Sequence, residues 1–164
     1  MNLRVGIGYD VHPFVADRPL VLGGVPVASP RGLGGHSDAD ALAHAVADAL
    51  LGALALGDLG AHFPDTDPAY AGASSLGLLA RVRDLVRARG YGVGNVDATI
   101  VTEEPKLAPH VAAMRERLAE TLGMDVAQVS VKATRHEKLG AFGRGEGLAA
   151  MAVVLVHRET AENA

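Results

Sequence analysis

The sequence predicts an α+β fold: a single-domain, two-layer sandwich of a mixed β-sheet with helices packed on one face. Three observations lead there. Strand-like segments open the chain in close succession, and amphipathic helices then interrupt later strands at irregular intervals. No linker, repeat or low-complexity block divides the 164 residues. A chain of this length can bury a full core without disulfide or metal staples. The domain is expected to span residues 1–158, with 159–164 as a C-terminal tail.

Each element has its own signal. Arg4-Val5-Gly6-Ile7-Gly8-Tyr9 reads as a strand, and Leu20-Val21-Leu22 and Val25-Pro26-Val27 as two more around a Gly23-Gly24 turn. Gly32 to Gly35 is a glycine-rich loop. Ser37-x-x-Asp40 has capping-box spacing and starts a helix that should run to about Leu56. Asp58 to Pro68 is a loop, because Pro64-Asp65-Thr66-Asp67-Pro68 is too turn-prone for regular structure. Ser75 to Arg89 is an amphipathic helix with Leu78, Val82, Leu85 and Val86 on one face and Gly90 as its stop. Val96 to Thr102 is a strand. Pro109 opens another helix, which carries Val111, Met114, Leu118 and Leu122 before Gly123 stops it. Val129 to Thr134 and Ala149 to Val156 complete the sheet.

Composition excludes several classes. The formal charge is −4, so no basic surface announces a nucleic-acid partner, and an anionic ligand must be held by local cations or metal ions. There are no cysteines, so any zinc must use His and Asp or Glu. No run reaches 18 apolar residues, and Met1-Asn2-Leu3-Arg4 leads straight into a strand. The expectation is a cytoplasmic protein with neither signal peptide nor membrane span. Twenty glycines, three Phe, three Tyr and no Trp imply a core of Val, Leu and Ala.

Asp10-Val11-His12 and His44 offer two imidazoles and a carboxylate, a donor set that suits a three-ligand zinc site with an open fourth position. Side chains alternate along a strand, so positions 10 and 12 share a face. On the first helix, Leu42, Val46, Ala49 and Ala53 cluster on one side. Asp40, His44 and Asp48 fall within about 80° of one another on another side. A carboxylate one turn away can accept the second ring N–H of a ligating histidine and fix its tautomer; Asp48 is the preferred candidate. The plainer alternative makes His12 a turn residue and His44 a surface histidine bonded to Asp40 or Asp48. Gly6-x-Gly8 lacks the third glycine and the helix of a dinucleotide-binding loop.

Four stretches suit an anionic substrate. His36-Ser37 lies near a helix N-terminus, where free N–H groups favour negative charge. Phe63-Pro64-Asp65-Thr66-Asp67 is a rigid acidic turn able to bind hydroxyls or a metal. Thr134-Arg135-His136-Glu137-Lys138 puts a hydroxyl, cations and a carboxylate at a strand end. Gly143-Arg144-Gly145-Glu146-Gly147 holds an arginine and a glutamate in closely approachable backbone. Taken singly, each is also an ordinary cap, solvated loop or charged turn.

Together these segments resemble the 2-C-methyl-D-erythritol 2,4-cyclodiphosphate synthase family of the non-mevalonate isoprenoid pathway. The likeness runs from Gly8-Tyr9-Asp10-Val11-His12 through Leu22-Gly23-Gly24-Val25, His36-Ser37-Asp38-Ala39-Asp40 and Asp48-Ala49-Leu50-Leu51-Gly52-Ala53. It continues through Gly57-Asp58-Leu59-Gly60, Phe63 to Pro68, Gly94-Asn95-Val96-Asp97 and Pro105-Lys106. Val131 to Thr134, Glu137-Lys138-Leu139-Gly140 and Gly143 to Gly147 complete it.

The resemblance implies a homotrimer with active sites at subunit interfaces. It implies that Asp10, His12 and His44 bind one Zn2+ per subunit, and that Glu137 helps hold Mg2+ or Mn2+ on a diphosphate. The implied substrate is 4-diphosphocytidyl-2-C-methyl-D-erythritol 2-phosphate, whose 2-phosphate closes a cyclic diphosphate and expels CMP. His36, Ser37, Asp58 to Gly60 and Phe63 to Asp67, with Asp65, would meet the methylerythritol phosphate end. Thr102 to Ala108, with Pro105, Lys106 and Ala108, would enclose the cytidine. Thr134 would bind substrate, His36 and Arg135 would serve catalysis, and Arg144 with Glu146 would line a central cavity of the trimer. Nucleophile and electrophile are both phosphates, so charge neutralisation and alignment dominate and no protein nucleophile is needed. Two departures stand out. Arg135 and His136 occupy positions where the family has threonines, so an arginine would steady the transferring phosphate electrostatically. Ala141-Phe142 reverses the usual order of Phe and a small residue.

Two other functions use the same residues. A zinc phosphohydrolase would release a linear phosphate instead of CMP and a cyclic product. A trimeric nucleotide sensor would bind without turnover.

Overall fold

The chain's architecture follows from a computed structural model that describes residues 2–159. Its elements are β1 (Leu3–Val15), β2 (Leu20–Leu22), β3 (Val25–Val27), β4 (Gly32–Leu33), α1 (Ala41–Ala53) and α2 (Leu59–His62). They continue with α3 (Ser75–Ala88), β5 (Tyr91–Val101), α4 (Val111–Leu122), β6 (Val129–Thr134), α5 (Gly140–Gly143) and β7 (Gly147–Arg158). Five strands form one sheet in the order β4-β1-β7-β5-β6. Only β5 and β6 run parallel, joined by the crossover through α4, so the sheet is mixed. β2 and β3 pair separately as a hairpin around Gly23-Gly24.

The helices cover one face: α1 packs on β1 and β7, α3 against α1 and β5, and α4 against β6. What lets α1 come close is the pair of glycines in β1. A Cβ on Gly6 would stand 1.8 Å from the Ala49 carbonyl oxygen, and one on Gly8 would stand 1.9 Å from that of Ala45. Small residues on both partners therefore let helix backbone rest almost directly on strand backbone. Around this contact Leu42, Val46, Leu50, Leu79, Val82, Ile100, Met114, Leu118 and Leu148 are fully buried. The opposite face is apolar and open. Leu3, Val5, Ile7, Tyr9 and Val11 of β1 and Met151 and Val153 of β7 are all exposed, Ile7 by 71%. Among the described residues no helix is long and apolar enough to cross a membrane.

Several boundaries differ from expectation for physical reasons. β1 continues to Val15, because pairing with β7 persists from Leu3↔His157 to Pro13↔Gly147 and keeps Asp10 and His12 inside the ladder. Helix α1 starts at Ala41, with Asp40 as its N-cap accepting the Ala43 N–H at 3.0 Å. Ser37 lies before the helix, and α1 stops at Ala53 rather than near Leu56. The loop after Asp58 contains α2, which Asp58 caps by accepting the Ala61 N–H at 2.8 Å. β5 begins at Tyr91, with a bulge between Val93 and Asn95. A short 3₁₀ turn, Ala108–His110, precedes α4. Of the tail expected at 159–164, only Glu159 is described; its N–H donates to the Gly90 carbonyl, and 160–164 lie outside the described residues.

Candidate active site: a metal centre and two clefts

Strand alternation sends Asp10 and His12 to the helix side of β1, and the glycine contact brings His44 of α1 down to them. Asp10 Oδ2 lies 2.9 Å from His12 Nε2 and 3.0 Å from His44 Nδ1, and the two ring nitrogens are 3.4 Å apart. Among the described residues this is the one cluster of three such donors close enough to share a cation. Tetrahedral zinc with bonds of about 2.0–2.1 Å separates its ligand atoms by about 3.3 Å. The three observed separations therefore fit a zinc ion without rearrangement of the backbone. A tetrahedral ion held by these two imidazoles and one carboxylate would have its fourth position free.

The three groups are electrostatically coupled to one another. Burial by itself would raise the Asp10 carboxyl, but hydrogen bonds and charge from His12 and His44 outweigh it and hold it well below the usual carboxylate range. Burial would lower His12, yet the bond to Asp10, reinforced by Gly34, pushes it above the ordinary imidazole value. The Nδ1–H of His12 donates to the Gly34 carbonyl at 2.7 Å, which leaves Nε2 aimed at the centre.

His44 is secured differently from expectation. Its Nε2 contacts Ser75 Oγ at 2.8 Å and Ser37 Oγ at 3.2 Å, and Asp48 is not its partner. Asp48 instead accepts the Leu59 N–H at 2.7 Å and pins the start of α2. Burial, with the neighbouring charges of Asp58 and Asp10, raises the Asp48 carboxyl above its ordinary value. Asp40 is also turned away. It is fully buried and accepts the N–H groups of Gly23 and Gly24 at 2.8 and 2.7 Å besides capping α1, so it ties the β2–β3 hairpin to the helix. A helical wheel orders side chains by angle but does not reveal which backbone donors lie opposite.

The three-residue cluster opens into a cleft of about 490 Å³, lined by His36, Ser37, Asp48, Gly60, Phe63, Asp65 and Tyr70 among others. Phe63 meets Tyr70 edge-on at 5.4 Å, making one apolar wall. Asp67 is turned to capping: it accepts the Ala69 N–H at 2.9 Å, while its carbonyl sits 3.3 Å from His36 Nε2.

A second cleft, of about 730 Å³, lies between the loops after β5 and β6. Thr102, Glu104, Pro105, Lys106, Ala108, Thr134, Arg135 and Glu137 line it, and the Glu104–Pro105 bond is cis. Glu137 and Lys138 both take left-handed backbone, with φ of 50° and 64°, and the Lys138 N–H donates to Glu103 Oε1 at 3.0 Å. This ties the two loops together.

The two clefts share no residue, and the structure does not bring Glu137 or Arg135 to the Asp10–His12–His44 cluster. Asp10 stands in register with Ala150, Ile100 and Ala133 across β7, β5 and β6. That is three strand spacings, roughly 14 Å. Arg144 lines neither cleft: it is exposed and donates to Glu146 at 2.6 Å. His136 packs edge-on against Phe142 at 5.3 Å, so the two unusual positions in this region meet each other. Ser75 and Asp38 were not anticipated as site residues. Ser75 signals only a helix start in the sequence, and the packing of α3 on α1 is what carries it to His44.

Comparison with known proteins places the chain in a family. A family model described as the YgbB family matches residues 3–157. The 2-C-methyl-D-erythritol 2,4-cyclodiphosphate synthase of Trichlorobacter lovleyi is 58% identical over 154 residues, covering 94% of this chain and 98% of its own. The structure of IspF from Plasmodium falciparum in complex with CDP has a TM-score of 0.85 at 31% identity, covering 97% of this chain and 98% of that one. The bifunctional IspDF of Campylobacter jejuni has a TM-score of 0.92 at 43% identity, over 95% of this chain and 42% of that larger one. With its family match spanning nearly the whole fold, the chain belongs to the YgbB family.

Proposed function

We propose that the protein converts 4-diphosphocytidyl-2-C-methyl-D-erythritol 2-phosphate into 2-C-methyl-D-erythritol 2,4-cyclodiphosphate with release of CMP. The observation that carries the reading is the convergence of Asp10, His12 and His44 on one point, in a chain so similar to synthases of that name. An oxygen of the 2-phosphate attacks the phosphorus of the diphosphate distal to cytidine. The bond from that phosphorus to the bridging oxygen breaks, and CMP departs with the electron pair.

Zn2+ at Asp10, His12 and His44, and Mg2+ or Mn2+ held with the help of Glu137, supply charge neutralisation for the reacting phosphates. The chain's own residues bind and align. His36 and Ser37, which line the cleft beside the three-residue cluster, hold the 2-phosphate, with His36 donating a hydrogen bond to it. Asp65, Gly60 and Phe63 grip the methylerythritol, with Asp58 and Asp67 shaping their loop as caps. In the second cleft Pro105, Lys106 and Ala108 enclose cytidine, Thr134 and Arg135 steady the transferring phosphate, and Glu137 faces the diphosphate. The CDP in the Plasmodium falciparum structure supports a cytidine-linked substrate here. Fixing both ends of one flexible molecule lowers the barrier by pre-ordering its two phosphates.

The separation of the clefts supports a homotrimer in which the second cleft of one subunit faces the metal centre of its neighbour. The open apolar face of β1 and β7 supplies the contact, and the exposed Arg144–Glu146 pair would lie near the assembly's axis.

The test is phosphorus NMR of the substrate with purified protein, zinc and magnesium. Cyclic diphosphate and CMP are expected, and the His44→Ala protein should lose nearly all turnover together with its bound zinc. Inorganic phosphate as product would make the protein a phosphohydrolase, and nucleotide binding without turnover would make it a sensor.

A further inference from the structure

We infer that Ser75, its hydroxyl oriented by Asp38, is a positioning residue that keeps His44 Nδ1 free to take a metal ion. The inference rests on the metal reading above and deepens it, since it concerns what prepares the ligand.

His44 stands between two competing acceptors. Asp10 Oδ2, 3.0 Å from Nδ1, draws the ring proton toward the metal side. Ser75 Oγ, 2.8 Å from Nε2, draws it to the far side. A hydroxyl can donate or accept, so distance alone does not say which way Ser75 acts. Asp38 decides it. Ser75 Oγ–H donates to Asp38 Oδ1, and the Ser75 N–H donates to the same carboxylate at 3.1 Å from Oδ2. An ionised carboxylate only accepts, so the single hydroxyl proton of Ser75 is committed to Asp38. The lone pairs of Ser75 Oγ then face His44, and Nε2 must be the donor. Ser37 fits the same polarity. Its Oγ accepts the Ala39 N–H at 3.1 Å and lies 3.4 Å from Ser75 Oγ, where it can donate to the second lone pair. Ser75 and Ser37 are buried, so water cannot substitute as the acceptor.

With the proton held at Nε2, the Nδ1 lone pair points at Asp10 and His12 before any ion arrives. Without Ser75 the remaining partner of Nε2 is Ser37 Oγ at 3.2 Å, a longer contact that holds the proton less firmly, so Nδ1 carries it more of the time and a metal must then displace it. Asp38→Asn should do worse. Its amide can donate to Ser75 Oγ, which turns the hydroxyl proton onto Nε2 and pins the ring proton on the metal side.

The experiment measures the zinc dissociation constant by chelator competition, the visible spectrum of the cobalt-loaded protein, and the urea midpoint of the metal-free protein. The variants are Ser75→Ala, Ser75→Thr and Asp38→Asn. Ser75→Ala should raise the zinc dissociation constant about 10- to 100-fold and alter the cobalt bands, while the metal-free midpoint falls only modestly, as loss of a buried hydroxyl's hydrogen bonds requires, and leaves the protein folded. Asp38→Asn should lose at least as much, and Ser75→Thr, which keeps the hydroxyl, should restore parental affinity. Zinc affinity in Ser75→Ala within about twofold of the parent, well short of the usual loss for such partners, would overturn the inference. So would a loss explained by a lower metal-free midpoint that threonine also suffers, since Ser75 would then serve only the fold. Failure of the parent protein itself to bind zinc would instead remove the metal reading, and this inference with it.

Discussion

Asp48 shows how a single carboxyl records the crowding of this centre. It sits half-buried near Asp58 and Asp10, and burial together with those charges raises its protonation above the ordinary aspartate range. A group whose folded value is raised contributes stability that is complete below the unfolded value, near pH 4, and is lost as pH climbs through the folded one. Asp48→Asn keeps an acceptor for the Leu59 N–H and removes the charge. The metal-free variant should therefore gain stability relative to the parent between about pH 4 and neutrality, as read by thermal melts across that range. A parent and variant with parallel profiles would contradict this account. The convergence of Asp10, His12 and His44 was legible in the sequence at this scale, because alternation along β1 places Asp10 and His12 on one side and helical periodicity sets His44 on a polar stripe. Ser75 was not, because 31 positions separate it from His44 and only tertiary packing joins them.

At the scale of elements, the decisive joint is α1 against β1. Gly8→Ala would drive a methyl into the Ala45 carbonyl, and neither backbone has room to yield. The expected loss is about 3 kcal/mol in urea unfolding, with weakened zinc binding, because any retreat of α1 also lifts His44 from Asp10 and His12. Unchanged stability would mean that the helix can slide on the strand. Glycines also explain the boundaries that sequence misplaced. Gly92 and Gly94 look like turn residues before Val96, yet both lie within β5, where the chain passes close to His157 and the Leu155 carbonyl. The start of α1 was misread by one capping motif. Ser37-x-x-Asp40 has the right spacing, but Asp40 is the cap because its side chain reaches the Ala43 N–H.

For the whole molecule, the layered α+β class was legible in the order and spacing of its patterns, whereas the bare sheet face was not. Alternating residues in β1 read equally well as buried or exposed until the helices are seen to occupy the glycine side. Ile7→Asp places a charge in the middle of that face without touching the core. It should yield a folded monomer in light scattering, still able to bind zinc yet without turnover; a trimer that survives the charge would refute the assignment of this face. The separation of the clefts, with Asp10 of one set three strand spacings (roughly 14 Å) from Ala133 of the other, carries a genetic corollary. A mutant blind in one cleft and a mutant blind in the other each fail alone, so His44→Ala and Glu137→Gln should be dead as pure populations. Refolded or expressed together, they should complement, since a mixed ring of the proposed trimer would pair an intact metal half from one allele with an intact cytidine half from the other.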